Sequence, residues 1–124
     1  MRLYLAGPMT NYPRWNFDAF ERGASVLRSA GFEVLSPAEA DLAEGFDPDA
    51  PAELFTREHL IAALRRDVEL VLNSDGVALL DGWRQSKGAL AERALARAAR
   101  IPARPLALWL ADGPSKTTEG NTLS

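Results

Sequence analysis

Residues 76–92 decide the fold, and they read GVALLDGWRQSKGALAE. The apolar run at 76–80 predicts a buried strand, and a polar stretch with serine and glycine separates it from an alanine-rich helix that begins near Lys87. The first N–H groups of a helix have no partner inside it and attract anions, and Glu92 lies in the early turns of this helix. The segment therefore predicts a strand, loop and helix that hold an anion beside a carboxylate.

Composition limits what the rest of the chain can be. Its 124 residues correspond to one domain, which can bury about two-thirds of the surface of its unfolded chain. The net charge of -3 argues against a nucleic-acid polymer as partner. The chain has no cysteine and one histidine, His59, which excludes a disulfide framework, a thiolate metal site and a histidine-rich metal centre.

The apolar runs of the sequence are all short. None approaches the ~18 residues of a membrane span, and the run at 3–6 is too short for the core of a signal peptide. We therefore expect a cytoplasmic protein that has no membrane partner.

Outward from the deciding segment, short apolar runs alternate with helical periods. Strands are predicted at 3–6, 32–35, 76–80 and 106–110, helices at about 16–30, 54–73 and 87–100, a short helical turn at 36–39, and an irregular segment at 41–53. This alternation predicts an α/β protein, a Rossmann-like (flavodoxin-like) three-layer sandwich with a four- to five-stranded, mostly parallel sheet. The domain is expected to span 1–111, and 112–124, mostly small and polar, a disordered tail.

Ligands of such sheets bind at the carboxyl ends of the strands. The loops expected along that rim are 7–15, the segment from 36 onward, and 81–87. Any site formed by this chain is therefore expected where these three loops meet.

Glu92 is the first candidate for chemistry. On its predicted helix it shares a side with Ala89 and Ala96, whereas Arg93 and Arg97 mark the side that faces water. No residue three or four positions away can pair with its charge. A carboxylate there faces packing or a cleft, and the alternative is a solvated side chain at the helix boundary.

Asp67 is the second candidate. It follows Leu60 and Leu64 and precedes Val71 at helical spacing, which puts it at the edge of an apolar stripe. Its helix ends just before the third strand, so Asp67 can approach the same rim as Glu92, where two carboxylates would push their pKa values apart. The alternative is an ordinary salt-bridged carboxylate.

The loops offer binding groups as well as alternatives without function. Ser86 and Gly88 provide a hydroxyl and free backbone N–H groups for an anion, or Ser86 is simply the N-cap of its helix. Trp83 lies in a polar loop and is available to stack on a base.

Together these motifs resemble the nucleoside 2-deoxyribosyltransferase superfamily over most of residues 1–105. The likeness rests on YLAGPM at 4–9, SPAE at 36–39, Asp67 before the third strand, and DGWRQSKGALAE at 81–92. In that family the catalytic Glu follows a Gly by four positions, as Glu92 follows Gly88. The nearest likeness is to a short branch, a domain of unknown function common in phage and bacterial genomes.

The resemblance implies cleavage of the N-glycosidic bond of a 2'-deoxynucleoside or its 5'-monophosphate, by hydrolysis or by transfer to a second base. Glu92 would attack C1', Tyr4 would hold that carboxylate, and Asp67 would contact the sugar hydroxyl or assist proton transfer. The substrate contacts implied are Gly7, Pro8, Met9, Asp81, Trp83, Ser86 and Gly88. No metal or organic cofactor is required, and members of the family suggest a homo-oligomer.

One departure from the family bears on the substrate. Transferases of free nucleosides usually carry an acidic residue two positions before the Gly, whereas this chain has Ser86, as in the related 5'-monophosphate N-hydrolases. A carboxylate there would repel a phosphate, so Ser86 favours the monophosphate, with Lys87, Arg84 or Arg14 adding positive charge. The alternatives are a nucleotide-binding module without turnover and a structural or host-interaction protein.

Overall fold

The structure is a computed structural model that describes residues 1–114. Its strands and α-helices in chain order are β1 (Arg2–Ala6), α1 (Phe17–Ser29), β2 (Glu33–Leu35), α2 (Pro37–Ala43), α3 (Arg57–Leu72), β3 (Gly76–Leu79), α4 (Lys87–Ala98), β4 (Ala103–Pro105) and α5 (Leu106–Asp112). Short 3₁₀ turns occupy Pro13–Asn16, Ala52–Leu54 and Trp83–Gln85. No helix among the described residues is long and apolar enough to cross a membrane.

The sheet has the order β2-β1-β3-β4, and all its pairs are parallel. Tyr4 in β1 is aligned with Leu35 of β2 on one side and with Val77 of β3 on the other. The chain runs outward from β1 to β2 and then from β3 to β4, so the direction of winding reverses between β1 and β3. The predicted fold class is confirmed, and the reversal between the central strands is where doubly wound sheets bind ligands.

Each face of the sheet has its own buried cluster. Leu3 and Leu5 of β1 belong to the first, which contains Phe20 and Leu27 of α1 and Trp109 of α5. On the opposite face, Tyr4 and Ala6 pack with Val71 of α3, Val77 of β3, and Ala89 and Ala96 of α4. The alternation along β1 therefore divides the core into two layers.

The predicted strand at 106–110 is wrong, because those residues belong to α5 and the last strand is Ala103–Pro105. Five consecutive apolar residues suit a buried strand and a buried helix equally well, so periodicity does not separate them. Packing decides in favour of the helix. Trp109 is 1% exposed and its Nε1–H donates to the Val77 carbonyl at 2.8 Å.

Two prolines, one before β4 and one at its last residue, explain why the sequence did not predict this strand. Pro102 and Pro105 suggest a break, but β4 is an edge strand, and proline is tolerated at edges. The Pro102 carbonyl accepts a hydrogen bond from Val77 N at 2.9 Å, so the residue before β4 also joins the sheet.

The predicted helical turn after β2 is α2. Ser36 caps it by accepting a hydrogen bond from Glu39 N at 3.4 Å. The Glu39 carboxylate makes no return contact with Ser36 among the described residues, because it binds the Arg28 guanidinium at 2.6 and 2.7 Å. Because α2 continues to Ala43, the segment between α2 and α3 begins later than the predicted irregular segment. It spans 44–56 and contains the 3₁₀ turn Ala52–Leu54.

The end of the predicted domain falls in α5. That helix ends at Asp112, the first residue of the expected tail. The structure also describes Gly113 and Pro114 of the tail, and 115–124 lie outside the described residues.

Candidate active site

Tyr4 and Glu92 form a hydrogen-bonded pair on the α4 side of the sheet. Tyr4 is fully buried in the central strand β1, and its hydroxyl donates to Glu92 Oε2 at 2.7 Å. The other carboxylate oxygen, Oε1, accepts no hydrogen bond from residues 1–114, and Glu92 lines a cavity. Tyr4 therefore fixes the carboxylate through one oxygen and leaves the other without a hydrogen bond from the described residues.

Asp67 enters the same cavity from α3. Its Oδ1 accepts hydrogen bonds from Nε and Nη2 of Arg66 at 2.9 and 2.7 Å. Asp67 is thus both the salt-bridged carboxylate of the alternative hypothesis and a residue that lines the cavity.

Burial changes the acidity of these groups. Burial raises the pKa of Glu92 to about 8; the Tyr4 hydrogen bond opposes this rise, the Asp67 charge adds to it, and the Arg66 charge opposes it. Burial also raises the pKa of Asp67 to about 6, although Arg66 opposes it. Burial, with the Glu92 and Asp67 charges, raises the pKa of the Tyr4 hydroxyl well above its usual value. Both carboxyl groups therefore keep their protons to higher pH than exposed carboxyl groups do, and Glu92 does so more strongly than Asp67.

The cavity has a volume of about 600 Å³. The loops that follow β1, β2 and β3 all contribute to its wall, as the sequence predicted for the rim. The predicted site residues that line it are Gly7, Pro8, Met9, Asp67, Ser86, Gly88 and Glu92. Tyr4 lies beneath Glu92 and acts on the cavity through it.

The start of α4 provides donors to the cavity. Ser86 Oγ accepts a hydrogen bond from Ala89 N at 3.1 Å, so Ser86 is the N-cap of α4. Its hydroxyl hydrogen remains available, and the amides of Lys87 and Gly88 belong to the helical positions that have no partner inside the helix. Because Ser86, Lys87 and Gly88 all line the cavity, capping and anion binding are compatible here.

Trp83 and Asp81 are not among the residues that line the cavity. Trp83 packs instead against the buried cluster that contains Tyr4, and the guanidinium groups of Arg84 and Arg93 lie 4.8 and 5.0 Å from its ring centre. A tryptophan in a polar loop looks the same in sequence whether it covers a core or faces a ligand. Of the three cations expected near the site, only Lys87 lines the cavity, since Arg14 pairs with Asp18 and Asp49.

An aromatic wall is the feature that the sequence analysis missed. Trp15 contacts Phe46 and Phe55 with ring centres 5.7 and 5.1 Å apart, and all three line the cavity. The signal in the sequence was two phenylalanines, Phe46 and Phe55, in or beside an otherwise polar irregular segment. The rings of this wall meet at angles of 55° to 84° and give the cavity an apolar, aromatic part of its lining.

The backbone that presents Trp15 is strained. Arg14, Trp15 and Asn16 have φ values of 49°, 54° and 62°, a left-handed conformation that costs non-glycine residues about 1 to 2 kcal/mol each. Asn16 Nδ2 donates to the Pro8 carbonyl at 2.9 Å, and Arg14 pairs with Asp49 at 2.8 Å. These contacts hold Trp15 against the segment that carries Phe46.

The described residues bring together no group of three or more side chains of the kind that bind metal ions.

The arrangement of sheet and helices matches that of an enzyme of known structure. The 2-deoxyribosyltransferase of the psychrotolerant bacterium Bacillus psychrosaccharolyticus, described as a biocatalyst for the synthesis of antiviral and antitumoral nucleosides, is similar to this chain with a TM-score of 0.61. The two share 22% sequence identity, and the match covers 83% of this chain and 69% of that one. The chain therefore has a deoxyribosyltransferase-like, Rossmann-type fold.

The model of the DUF4406 family, a domain of unknown function, matches residues 1–103. The chain belongs to this family. No curated protein matches its sequence.

Proposed function

We propose that this protein cleaves the N-glycosidic bond of a 2'-deoxynucleoside 5'-monophosphate or of a 2'-deoxynucleoside, with Glu92 as nucleophile. The observation that carries the proposal is the geometry of Glu92. One of its oxygens is held by the Tyr4 hydroxyl at 2.7 Å, and the other is free in a cavity that a second carboxylate, Asp67, also lines. The fold is that of an enzyme that acts on the same bond, which supports the same class of chemistry.

The proton balance of the site suits this reaction. Glu92 Oε1 forms a bond to C1', the bond from C1' to the base nitrogen breaks, and its electron pair leaves with the base. The base needs a proton, and Glu92 can supply it, because burial raises the pKa of this carboxyl group to about 8. Passing that proton to the base by way of Asp67 leaves Glu92 ionised for attack.

Water then completes the hydrolysis. Its oxygen bonds to C1' as the ester bond to Glu92 breaks, and its proton returns to the carboxyl pair. A second base in place of water would give transfer.

The cavity offers groups that suit both the base and the phosphate of a nucleotide. The aromatic wall formed by Trp15, Phe46 and Phe55 offers a stacking surface for a base. The Ser86 hydroxyl and the first amides of α4 offer donors for a phosphate. A 600 Å³ cavity falls in the size range of small-ligand sites.

A homo-oligomer is part of the proposal. Leu60, Leu64, Val68 and Leu72 form a stripe along α3 and are each 40–46% exposed, and Leu90 of α4 is equally exposed. Leu60 and Leu64 had been predicted from the sequence to lie on the apolar side of this helix. Leu60 and Leu64 also line the cavity, so a second copy seated on this α3 stripe would cover apolar surface and close the cavity wall.

One observation favours a nucleotide-binding module without turnover. With its pKa raised to about 8, Glu92 is mostly a neutral acid at pH 7, and a neutral carboxyl group donates a hydrogen bond to a ligand as readily as it prepares a reaction. The module would bind nucleotides through the same cavity and release no base.

Chromatography of free base, after incubation with a panel of deoxynucleosides and their 5'-monophosphates, separates these functions. The variant is Glu92→Gln, and the matched control is Glu69→Gln, a carboxylate on the exposed surface of α3. We expect release by the wild type and the control, and a loss of about 10³-fold or more in Glu92→Gln. Undiminished release by Glu92→Gln would refute the nucleophile, and nucleotide binding without release by the wild type would favour the binding module. Release that requires an added base would establish transfer instead of hydrolysis.

A further inference from the structure

Arg66 is the most heavily engaged side chain near the cavity. Its Nε and Nη2 donate to Asp67 Oδ1, and its Nη1 donates to Asp41 Oδ1 at 2.7 Å and to Glu44 Oε1 at 3.0 Å. Nη2 also approaches the Pro37 carbonyl at 3.4 Å. The side chains of Arg66, Asp41 and Asp67 are 16%, 18% and 12% exposed, so the bonds among them are shielded from bulk water and strengthened, whereas Glu44 is 60% exposed.

The bond between Arg66 and Asp67 has an unusual form. Neighbours in a helix do not face each other, so the Arg66 side chain must fold back along α3 to reach the next residue. Both of its donors take the same oxygen, Oδ1. The other oxygen, Oδ2, accepts no hydrogen bond from residues 1–114, and Asp67 lines the cavity. The contact therefore orients the carboxylate as well as neutralising it.

Arg66 is also the only cation in a group of acids, as far as the described charges around Asp67 show. The groups that act on Asp67 are Arg66 on α3, Asp41 and Glu44 at the end of α2, and Glu92 and Tyr4 across the cavity. Burial raises the pKa of Asp67 to about 6, the Arg66 bonds oppose that rise, and the Asp41 and Glu44 charges add to it. Loss of Arg66 is therefore expected to raise the pKa of Asp67 further.

The hydrogen bonds of Arg66 also bear on the position of the aromatic wall. Asp41 is the fifth residue of α2 and Glu44 follows its last residue, so the bonds from Nη1 tie the end of that helix to α3. The segment 44–56, which carries Phe46 and Phe55, starts at this point. The Arg66 guanidinium thus links Asp67 to the residues at which the segment 44–56 begins.

We infer that Arg66 is a positioning residue of this site: it holds Asp67 by Oδ1, leaves Oδ2 open to the cavity, and fixes the end of α2 against α3. The consequence for turnover rests on the proposed function. The effect on the proton affinity of Asp67 does not, so the two can be tested apart.

The variants are Arg66→Met, Arg66→Lys and the matched control Arg65→Met. Arg65 is the exposed neighbour on α3 and forms no ion pair among the described residues. Lysine keeps the charge but has no planar fork to bind Asp67 and Asp41 together. Arg66→Met leaves buried acids without a counter-charge, so Arg66→Lys keeps the question answerable if the methionine variant does not fold.

The first readout is a titration of the side-chain carboxyl carbons by NMR in ¹³C-aspartate-labelled protein, with Asp67→Asn to assign the resonance. We expect the midpoint of Asp67 to rise by about one pH unit or more in Arg66→Met, by less in Arg66→Lys, and not in Arg65→Met. An unchanged midpoint in both Arg66 variants would overturn the inference.

The second readout is the pH dependence of base release. We expect kcat to fall at least tenfold at pH 7 in Arg66→Met and Arg66→Lys, with a smaller change in KM. The acid limb of the profile of kcat against pH should move to higher pH. A wild type that releases no base, combined with a shifted Asp67 midpoint, would refute the proposed function and leave the positioning role standing. Active variants with unchanged kcat profiles and only a lower Tm would show that Arg66 is merely structural.

Discussion

Leu3 and Leu5 of β1 pack on the face of the sheet that α1 and α5 cover, whereas Tyr4 of the same strand packs on the face below α3 and α4. The first face is filled by large apolar side chains such as Phe20 and Trp109, each 1% exposed. The second face is filled by alanines, by aliphatic side chains such as Val71 and Leu79, and by Tyr4, whose hydroxyl donates to the carboxylate of Glu92.

The difference shows how one sheet serves two purposes. The α1 face contains no ionisable group in its buried cluster, so its packing contributes stability without a dependence on pH. The α4 face holds two carboxyl groups whose pKa values burial raises, and it leaves the α3 stripe uncovered. We interpret the first face as the structural layer and the second as the layer that gives up stability for chemistry and association.

The largest effect is expected on the α1 face, from Trp109→Ala. The variant opens a cavity and leaves the Val77 carbonyl without its indole donor, so the free energy of unfolding should fall by about 3 to 5 kcal/mol. Urea unfolding measures the loss, and Trp109→Phe supplies a milder variant. A loss below about 1 kcal/mol would contradict the assignment of this face as the structural layer.

The next effect is a gain in stability on the α4 face, from Glu92→Gln at alkaline pH. The folded protein keeps the Glu92 proton up to a pKa of about 8, whereas the unfolded chain loses it near 4.5, so ionisation in the folded state opposes folding. The stability of the wild type should therefore fall, relative to Glu92→Gln, as the pH rises from 5 to 9. We expect a relative change of about 2 kcal/mol or more, since each pKa unit corresponds to about 1.4 kcal/mol.

Thermal or urea unfolding at several pH values measures this change, with Glu69→Gln as the control for loss of an exposed carboxylate. A difference between the wild type and Glu92→Gln that stays constant across the range would contradict the buried, protonated state of Glu92.

Tyr4→Phe should have a smaller effect, confined to the site. The variant removes the donor that opposes the rise in the Glu92 pKa, and a hydrogen bond to a charged group contributes about 1.5 to 3 kcal/mol. We expect kcat/KM for base release at pH 7 to fall about 10- to 100-fold and the pKa of Glu92 to move upward. Steady-state kinetics across pH tests this, and a rate within twofold of the wild type at every pH would remove Tyr4 from the proposed mechanism.

The smallest effect on the fold of the single chain is expected from Leu64→Glu in the α3 stripe. Because Leu64 is 40% exposed, the substitution costs the isolated chain little, but a carboxylate at the centre of an apolar interface opposes association. Sedimentation velocity should show loss of the oligomer. Val26→Glu, at a similarly exposed position on α1, is the control and should leave the oligomer intact. A wild-type monomer, or equal dissociation in both variants, would contradict association through the α3 stripe.

Local pattern predicted most of the fold. The first three strands and the helices α1, α3 and α4 lie close to their predicted positions because their apolar spacing and their capping residues agree. The prediction of a strand at 106–110 was wrong because a buried strand and a buried helix both accommodate such an apolar run. Only the packing of Trp109 on Val77 decides in favour of the helix. The exposure of the α3 stripe could not be predicted from the sequence either, because periodicity identifies the apolar side of a helix but not what covers that side.

The candidate site was predictable to a different degree. Helical angles placed Glu92 on the inward side of α4 and Asp67 at the edge of α3, and both line the cavity. Arg66 was missed because an arginine beside an aspartate reads as a surface pair, and its return along α3 depends on contacts with α2. Trp15 acquires its place from a left-handed backbone that propensity does not predict.

The central claim is that Glu92 attacks the sugar, and trapping the covalent intermediate tests it most directly. A 2'-fluoro substituent disfavours positive charge at C1' and slows breakdown of the ester, so incubation with a 2'-fluoro-arabinosyl nucleoside monophosphate and acid quenching should preserve it. Peptide mass spectrometry should then find the fluorinated sugar phosphate on Glu92, with one equivalent of base released. Release of base without an adduct, or an adduct on another residue, would contradict the account.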